Sequence, residues 1–405
     1  MKILILGLNF APELTGIGRY TGEMAAWLAA RGHSVRVITA PPYYPAWRVG
    51  KGYSGWRYRR EIRDGVEVMR CPLWVPRHPS GLKRIVHLAS FAAASLPPAV
   101  GWSQWRPDWV FTVAPALLSL PVALLAARLG GSRCWLHVQD FEIDAALGLG
   151  MLNPGKLGRV VLEAERFLLR RCEVVSTISR SMRDRLVAKG VPEDRTYLLP
   201  NWADTSVTYD AAAGERFRAR LGIDGRAPLA LYSGNLGKKQ GLEIIPRVAA
   251  RLPQIQFVVC GQGAAKTELE RACTGMDNIR FLPLQPAEEL VAMLSAADVH
   301  LVLQKRGAAD LVLPSKLTNI LAAGGRAVVT AEADTELGRL AREHPGLIEL
   351  CPPEDAEALA VAVVRVAQKS RNEGRCNEAA RRFAGRHLDR ETILKAFERK
   401  LQETK

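Results

Sequence analysis

The chain has 405 residues, a net charge of +15, 48% hydrophobic residues and seven cysteines. Its length exceeds what one hydrophobic core supports and predicts two domains of about 200 residues, while the apolar content excludes a disordered chain. The cysteines, at 71, 134, 172, 260, 273, 351 and 376, are scattered, odd in number and without a C-x-x-C pair, which predicts reduced core thiols rather than a disulfide scaffold.

The opening MKILILGLNFAPE has a short apolar run before Pro12 and Glu13 and no small-residue cleavage site, so it reads as a first strand and not as a signal peptide. In the first half, apolar runs at 3–8, 35–39, 66–70, 109–113, 133–138 and 173–179 alternate with stretches of helical period at 17–31, 115–129, 156–171 and 180–189. Short unalternating strands separated by helices predict a parallel sheet covered on both faces. After a polar linker around 203–214 the alternation restarts. Strands are expected at 228–233, 255–261, 279–284, 299–304, 326–331 and 347–351, with helices near 241–251, 264–273, 286–296, 314–323 and 354–368. The expected domains are 1–203 and 215–385, with a C-terminal helix at 386–405 packing back toward the first domain.

Charge is uneven: residues 1–200 carry 27 Lys/Arg against 15 Asp/Glu. Between Arg48 and Arg84 ten basic residues face only Glu61, Asp64 and Glu67, with Trp47, Tyr53, Trp56, Tyr58 and Trp74 among them. Such a patch suits an anionic membrane surface, a phosphorylated substrate, nucleic acid or plain solvation. No zinc-finger spacing, RNP-like motif or repeat accompanies it, which argues against nucleic acid. Residues 88–105 and 109–127 are free of charge and raise the question of a membrane span, but Pro97, Pro98, Pro115 and Pro121 interrupt them and Asp108 separates them. The second reads better as a strand followed by a helix from Pro115. The first belongs to a segment, 74–105, expected to touch a bilayer surface.

Each half places glycines after its first strand: Gly16, Gly18 and Gly22, then Gly234. In open parallel sheets ligands bind beyond the carboxyl ends of the strands, where loops run into helix N-termini that favour anions. Two such rims facing across a cleft would grip a pyrophosphate from opposite sides. A nicotinamide or flavin enzyme would show G-x-G-x-x-G directly after the strand and an acidic residue ending the second strand. Here seven residues precede Gly16, the spacing is G-x-G-x-x-x-G, and the second strands end in Thr39-Ala40-Pro41 and Cys260-Gly261-Gln262.

N-F-x-P-E-x-T-G-I-G at 9–18, Y-S-G-N-L-G-K-K-Q-G-L at 232–242 and L-P-S-K-L-T-N-I-L-A at 313–322, in that order, resemble the GT-B glycosyltransferases of family 4. They look most like the bacterial exopolysaccharide members, among them a colanic acid fucosyltransferase type. The resemblance implies an α/β fold of two Rossmann-like doubly wound domains facing across a cleft. It implies a nucleotide-sugar donor held mainly by the second domain, an acceptor on the first, and retention of anomeric configuration. Gly16 and Gly18 would then approach donor phosphate or acceptor from one side. Gly234 and Asn235 would do so from the other, with Lys238 and Lys239 supplying charge to the diphosphate. Gly261 and Gln262 would lie near base and ribose, Pro314, Ser315 and Lys316 would open a phosphate-holding helix, and Asn319 would meet a ribose hydroxyl. Asn235 and Gln240 stand where many relatives carry an arginine and a lysine. Leu311 and Asn319 stand where they carry a pair of glutamates.

No D-x-D sequence is present to ligate a divalent ion, so neither metal nor cofactor is expected. In C-W-L-H-V-Q-D-F-E-I-D, at the carboxyl end of a strand, Asp140 leads the candidates for positioning or deprotonating the acceptor, ahead of Glu142 and His137. His137 sits inside the strand, where a hydrogen-bonded core histidine is the competing reading. Glu13 is a candidate for acceptor binding. The basic, aromatic segment at 47–105 would dock on the inner face of the cytoplasmic membrane and receive a polyprenyl-diphosphate-linked saccharide. A GT-B epimerase acting on a nucleotide sugar and a catalytically silent nucleotide-sugar-binding protein are the alternatives.

Overall fold

The computed structural model describes residues 1–404 except 14–15, 78–80, 115–116, 142, 145–154, 204–207, 238–239 and 307–313. The chain divides into two compact units, one of Met1–Pro200 with Leu394–Lys405, the other of Asn201–Ile393.

The first unit runs β1 (Lys2–Gly7), α1 (Gly16–Ala30), β2 (Ser34–Thr39), β3 (Arg59–Arg63), β4 (Val66–Arg70), α2 (Gly81–Ser103), β5 (Trp109–Ala114), α3 (Leu120–Gly130), β6 (Arg133–Val138), α4 (Lys156–Leu169), β7 (Val174–Thr177), α5 (Arg180–Ala188) and β8 (Thr196–Leu198). The sheet order is β3-β4-β2-β1-β5-β6-β7-β8, parallel throughout except for the β3–β4 pair. Residues 3–7 of β1 and all six of β5 are buried, as expected of strands with helices on both faces. The strand order reverses between β1 and β5, so the turn after β1 opens at a topological switch point.

Two elements depart from expectation in the basic segment. The edge strand β3 is polar and exposed and gives no apolar run. The stretch read as broken by Pro97 and Pro98 is one continuous helix, α2. A proline at 98 cannot donate to the carbonyl of Ala94 four residues back. The hydroxyl of Tyr58 donates to that carbonyl instead, at 2.9 Å, so the acceptor is satisfied from outside the helix.

The second unit runs α6 (Ala211–Arg220), β9 (Leu229–Ser233), α7 (Ile245–Arg251), β10 (Gln256–Cys260), α8 (Lys266–Ala272), β11 (Ile279–Leu282), α9 (Leu290–Ala296), β12 (Val299–Val302), α10 (Ser315–Ala322), β13 (Ala327–Thr330), α11 (Glu336–Glu343), β14 (Ile348–Cys351), α12 (Ala356–Glu373) and α13 (Glu378–His387). Its sheet is wholly parallel, in the order β11-β10-β9-β12-β13-β14. With β9 counted first this is the Rossmann order 3-2-1-4-5-6, and the switch point lies between β9 and β12. Part of the stretch expected as linker is α6, whose cap Asp210 accepts from the Ala213 amide at 2.9 Å. Arg218, 1% exposed, ties that helix to Asp298 and to the carbonyls of Ala296 and Asp224.

A last helix, α14 (Arg390–Glu403), returns to the first unit. Phe397 meets Phe111 and Trp135 edge to face at 5.5 and 5.1 Å, and Trp109 Nε1 donates to the Leu401 carbonyl. Glu398 accepts from His33 and Arg31.

Candidate active site

In the second unit the site is built where β9 ends. Gly234 has φ 140° and Gly261, ending β10, has φ 154°. The two loops touch through backbone: the Gly234 amide donates to the Cys260 carbonyl and the Leu236 amide to Gln262. A Cβ on Gly261 would stand 1.9 Å from the Gly234 oxygen, so only glycine fits. Asn235 and Gln262 are exposed on this rim. Gly241, in the left-handed conformation, ends the loop and starts a 3-10 turn at Leu242–Ile244.

Across the switch point α10 begins at Ser315, which is exposed, with Pro314 before it and Asn319 one turn on. Lys316 leans back toward the glycine turn: a Cβ on Gly234 would meet its Nζ at 3.5 Å. The side chain is half-buried, but Nζ itself has no accessible surface and no hydrogen-bond partner among the described residues. It lies 3.9 Å from the centre of the Tyr232 ring, and the Tyr232 hydroxyl donates to the Asn235 carbonyl at 2.8 Å. Burial brings the Lys316 ammonium down to about 7. Tyr232 ends the strand and heads the Y-S-G-N motif in sequence, but the sequence reading gives it no part in the site. Its position directly before the glycine turn was the available signal.

In the first unit the turn after β1 carries Glu13, which is buried. Its Oε1 accepts from the amides of Tyr43 and Tyr44 at 3.0 and 2.9 Å, and its Oε2 from Asn9 Nδ2 at 2.9 Å. Desolvation raises its pKa against the lowering effect of these donors. A Cβ on Gly18 would strike the Glu13 carboxylate at 2.6 Å, whereas Gly16 is required by its φ of 61°. Arg70, counted in sequence among the surface cations, is 1% exposed. It bonds Glu61 and the carbonyls of Ala40 and Ala11, pinning the Glu13 turn to the end of β2.

Asp140 follows β6 and lines a small recess with Leu117, Phe141, Ile143 and Glu165. The segment beyond it is held by a buried ion cluster that sequence reasoning missed. Lys189 Nζ bonds Asp144 at 2.8 Å and Glu165 at 2.5 Å, and Arg185 bonds Asp144 at 2.6 Å. These partners lie some 20 to 45 positions from Lys189 and Arg185 in sequence, so no local pattern announced them. His137 is placed in the core face under α14: its Nδ1 bonds Ser176 Oγ at 2.9 Å, its ring stacks on Phe111, and burial lowers its pKa to about 3. Glu142, Lys238, Lys239 and Leu311 lie outside the described residues. Among the described residues no group of three or more His, Cys, Asp or Glu comes together as a metal site.

Two Rossmann-like units, each with a glycine-bearing turn at its switch point, form the architecture of the GT-B sugar transferases. The "Glycosyl transferase 4-like domain" model matches residues 15–202, and "Glycosyl transferases group 1" matches 214–383. The chain belongs to the family-4-type GT-B glycosyltransferases, enzymes that depend on a nucleotide sugar, and within them is related to the bacterial exopolysaccharide and colanic acid members. It is 48% identical, over 98% of each chain, to WcaI of Escherichia coli (strain K12), whose name assigns it provisionally as a colanic acid biosynthesis glycosyl transferase. In fold it is similar to sucrose-phosphate synthase from Thermosynechococcus elongatus, with TM-score 0.79, 17% identity and coverage of 99% and 98% of the two chains. It is similar also to HepE of Anabaena, solved with UDP, with TM-score 0.72, 15% identity and full coverage of both chains.

Proposed function

We propose that this enzyme is a retaining glycosyltransferase that moves L-fucose from GDP-fucose to a lipid-linked saccharide in exopolysaccharide biosynthesis. In this reading it needs no metal and works on the inner face of the cytoplasmic membrane. The donor belongs to the second unit and the acceptor to the first. The observation that carries the donor half is the Lys316 ammonium, buried between a glycine turn and the start of a helix with no counter-charge among the described residues. An unpaired buried charge is costly, and a diphosphate at that point would compensate it. Gly234, Asn235 and the first amides of α10 would add donors to the same phosphates, joined by Lys238 and Lys239. Gly261, Gln262 and Asn319 would meet base and ribose.

As the bond from the anomeric carbon to the diphosphate oxygen breaks, charge grows on that oxygen, and donors already fixed in place stabilise it without reorganising. The acceptor oxygen forms the new bond to the anomeric carbon and its proton passes to Asp140, whose segment the Lys189 cluster holds steady. Glu13, whose carboxylate accepts from the Tyr43 and Tyr44 amides and Asn9, shapes the acceptor loop. The membrane reading is supported by α2, which is long and apolar enough by length and composition to cross a bilayer. Its buried face carries His87, Phe91, Ser95, Ala99 and Trp102, while Leu82, Ile85, Val86, Leu96 and Val100 are exposed beside Lys83 and Arg84. An apolar stripe flanked by cations suits shallow burial in an anionic interface.

Thermal-shift screening of the full chain against GDP, UDP, TDP and ADP tests the donor assignment, because a ligand bound only by the folded state raises its stability. GDP should give the largest shift. A larger shift with another base displaces fucose, and no shift with any of the four at millimolar concentration refutes the site. Transfer activity that survives EDTA is expected.

A further inference from the structure

His87, on the buried face of α2, leaves half of its hydrogen-bonding capacity unused. Its Nδ1 lies 2.7 Å from the carbonyl oxygen of Trp74, which can only accept, so Nδ1 carries the proton. The neutral ring then presents a lone pair at Nε2. That atom has no accessible surface and no partner among the described residues, and His87 as a whole is 1% exposed. Burial and the nearby Arg84 both disfavour the imidazolium, which keeps this acceptor available.

What surrounds the ring points to a ligand. Tyr43 packs edge-on at 4.8 Å and Trp47 lies over it at 5.3 Å, with the Arg84 guanidinium 5.6 Å from the Trp47 ring on its own account. Trp47 has φ 50°, a left-handed conformation that a bulky residue rarely adopts and that tends to mark functional loops. The loop is anchored at one end, since Glu13 holds the Tyr43 and Tyr44 amides, and Trp47 stands four residues further along. A loop with an unusual backbone at Trp47 therefore covers a buried acceptor that no described residue satisfies.

We infer that Tyr43, Trp47, Arg84 and His87 form a saccharide subsite in which Trp47 yields its place over His87 to a pyranose. One sugar hydroxyl donates to His87 Nε2, and the apolar face of the ring stacks on the aromatic walls. Arg84 faces the phosphate of a sugar linked through an anionic group. The subsite deepens the transferase reading and rests on it: this is where the acceptor sugar is held. His87 is a binding residue here, and Trp47 its cover.

The test uses the full chain labelled with 15N-histidine, with the His87 signals assigned by their loss in His87→Gln. Methyl pyranosides of the gluco, galacto and fuco series are added at up to about 100 mM, a range set by the weak affinity of a single sugar ring. At least one should move the Nε2 resonance from that of a free lone pair toward a hydrogen-bonded one. Ligand-observed saturation transfer should then give a dissociation constant weaker by about tenfold or more in His87→Phe, which removes the acceptor, and a smaller loss in His87→Gln, which restores one. GDP binding, followed in the same samples, separates the two readings. If nucleotide binds and no pyranoside moves the His87 signal, or if His87→Phe binds sugar as wild type does, the subsite is overturned and the donor site stands. If sugar binds as stated and GDP does not, the pyranose subsite stands and the GDP-fucose donor assignment falls.

Discussion

Lys316 gives the sharpest quantitative test, because a diphosphate bound beside it, as proposed, would change its protonation. With its pKa at about 7 in the free protein, the ammonium is only about one-tenth protonated at pH 8. A diphosphate beside it favours the charged form and returns the group toward its ordinary range, so binding at pH 8 takes up about 0.9 proton per site. Isothermal titration of GDP in Tris and in HEPES at pH 8 reads this directly, since buffers with different ionisation heats give different apparent enthalpies in proportion to the protons exchanged. Affinity should weaken by about tenfold per pH unit above 7, roughly 1.4 kcal/mol each. Lys316→Met should abolish the uptake and weaken binding. The sign of the stability effect is opposite. The folded pKa lies below the unfolded one, so the free fold binds fewer protons between the two values and gains stability as pH rises through that window. Removing this buried charge should therefore stabilise the unliganded protein at pH 6 by about 1–3 kcal/mol. Equal enthalpies in both buffers, with GDP bound, would refute the argument that this buried cation waits for the diphosphate.

Gly261→Ala should destabilise the second unit by about 3 kcal/mol, because the new methyl would stand 1.9 Å from the Gly234 backbone oxygen; an unchanged urea midpoint would contradict the contact. His137 is buried neutral with a pKa of about 3, below its unfolded value, so the fold binds fewer protons there and loses stability as pH falls below 6.5. The loss should reach about 2 kcal/mol at pH 5. His137→Leu should flatten that slope in pH-dependent melting. For the membrane reading, the triple change Leu82→Ser, Ile85→Ser, Val86→Ser should cut binding to phosphatidylglycerol vesicles by about tenfold or more, with little change in melting temperature because all three side chains are exposed. Equal vesicle binding would remove α2 as the docking face.

The parallel strands were legible because burial on both faces leaves no polar alternation: ILILG, WVFTV and LALYS read as strands and are strands. The basic segment was not legible. Arg70 looked like one surface cation among ten, and only tertiary structure brings Ala11, Ala40 and Glu61 around its guanidinium. In α2 the Pro97–Pro98 pair argued for interruption, and the compensating donor, Tyr58, sits 36 positions earlier than the carbonyl it satisfies. The candidate donor residues show a similar division. Glycines at 234 and 261 mark their turns by composition, but the contact of Tyr232 with the Lys316 ammonium, and the lack of a hydrogen-bond partner for that ammonium among the described residues, emerge only when β9 and α10 are set side by side. His87 gave no signal in sequence, since an imidazole on a helix is ordinary until its second nitrogen is found without a partner among the described residues.

The return of α14 to the first unit sets an order of assembly. Trp109, Phe111 and Trp135 lack the part of their cover that Phe397 and Leu401 supply until those residues arrive, yet a ribosome must add roughly 200 residues between β8 and that point, which takes about 10–40 s at about 5–20 residues per second. During that interval the face that α14 will cover is exposed to chaperones and to neighbouring nascent chains. A stop codon near position 390 should accordingly send the first two hundred residues to proteolysis or inclusion bodies, although none of their own codons has changed.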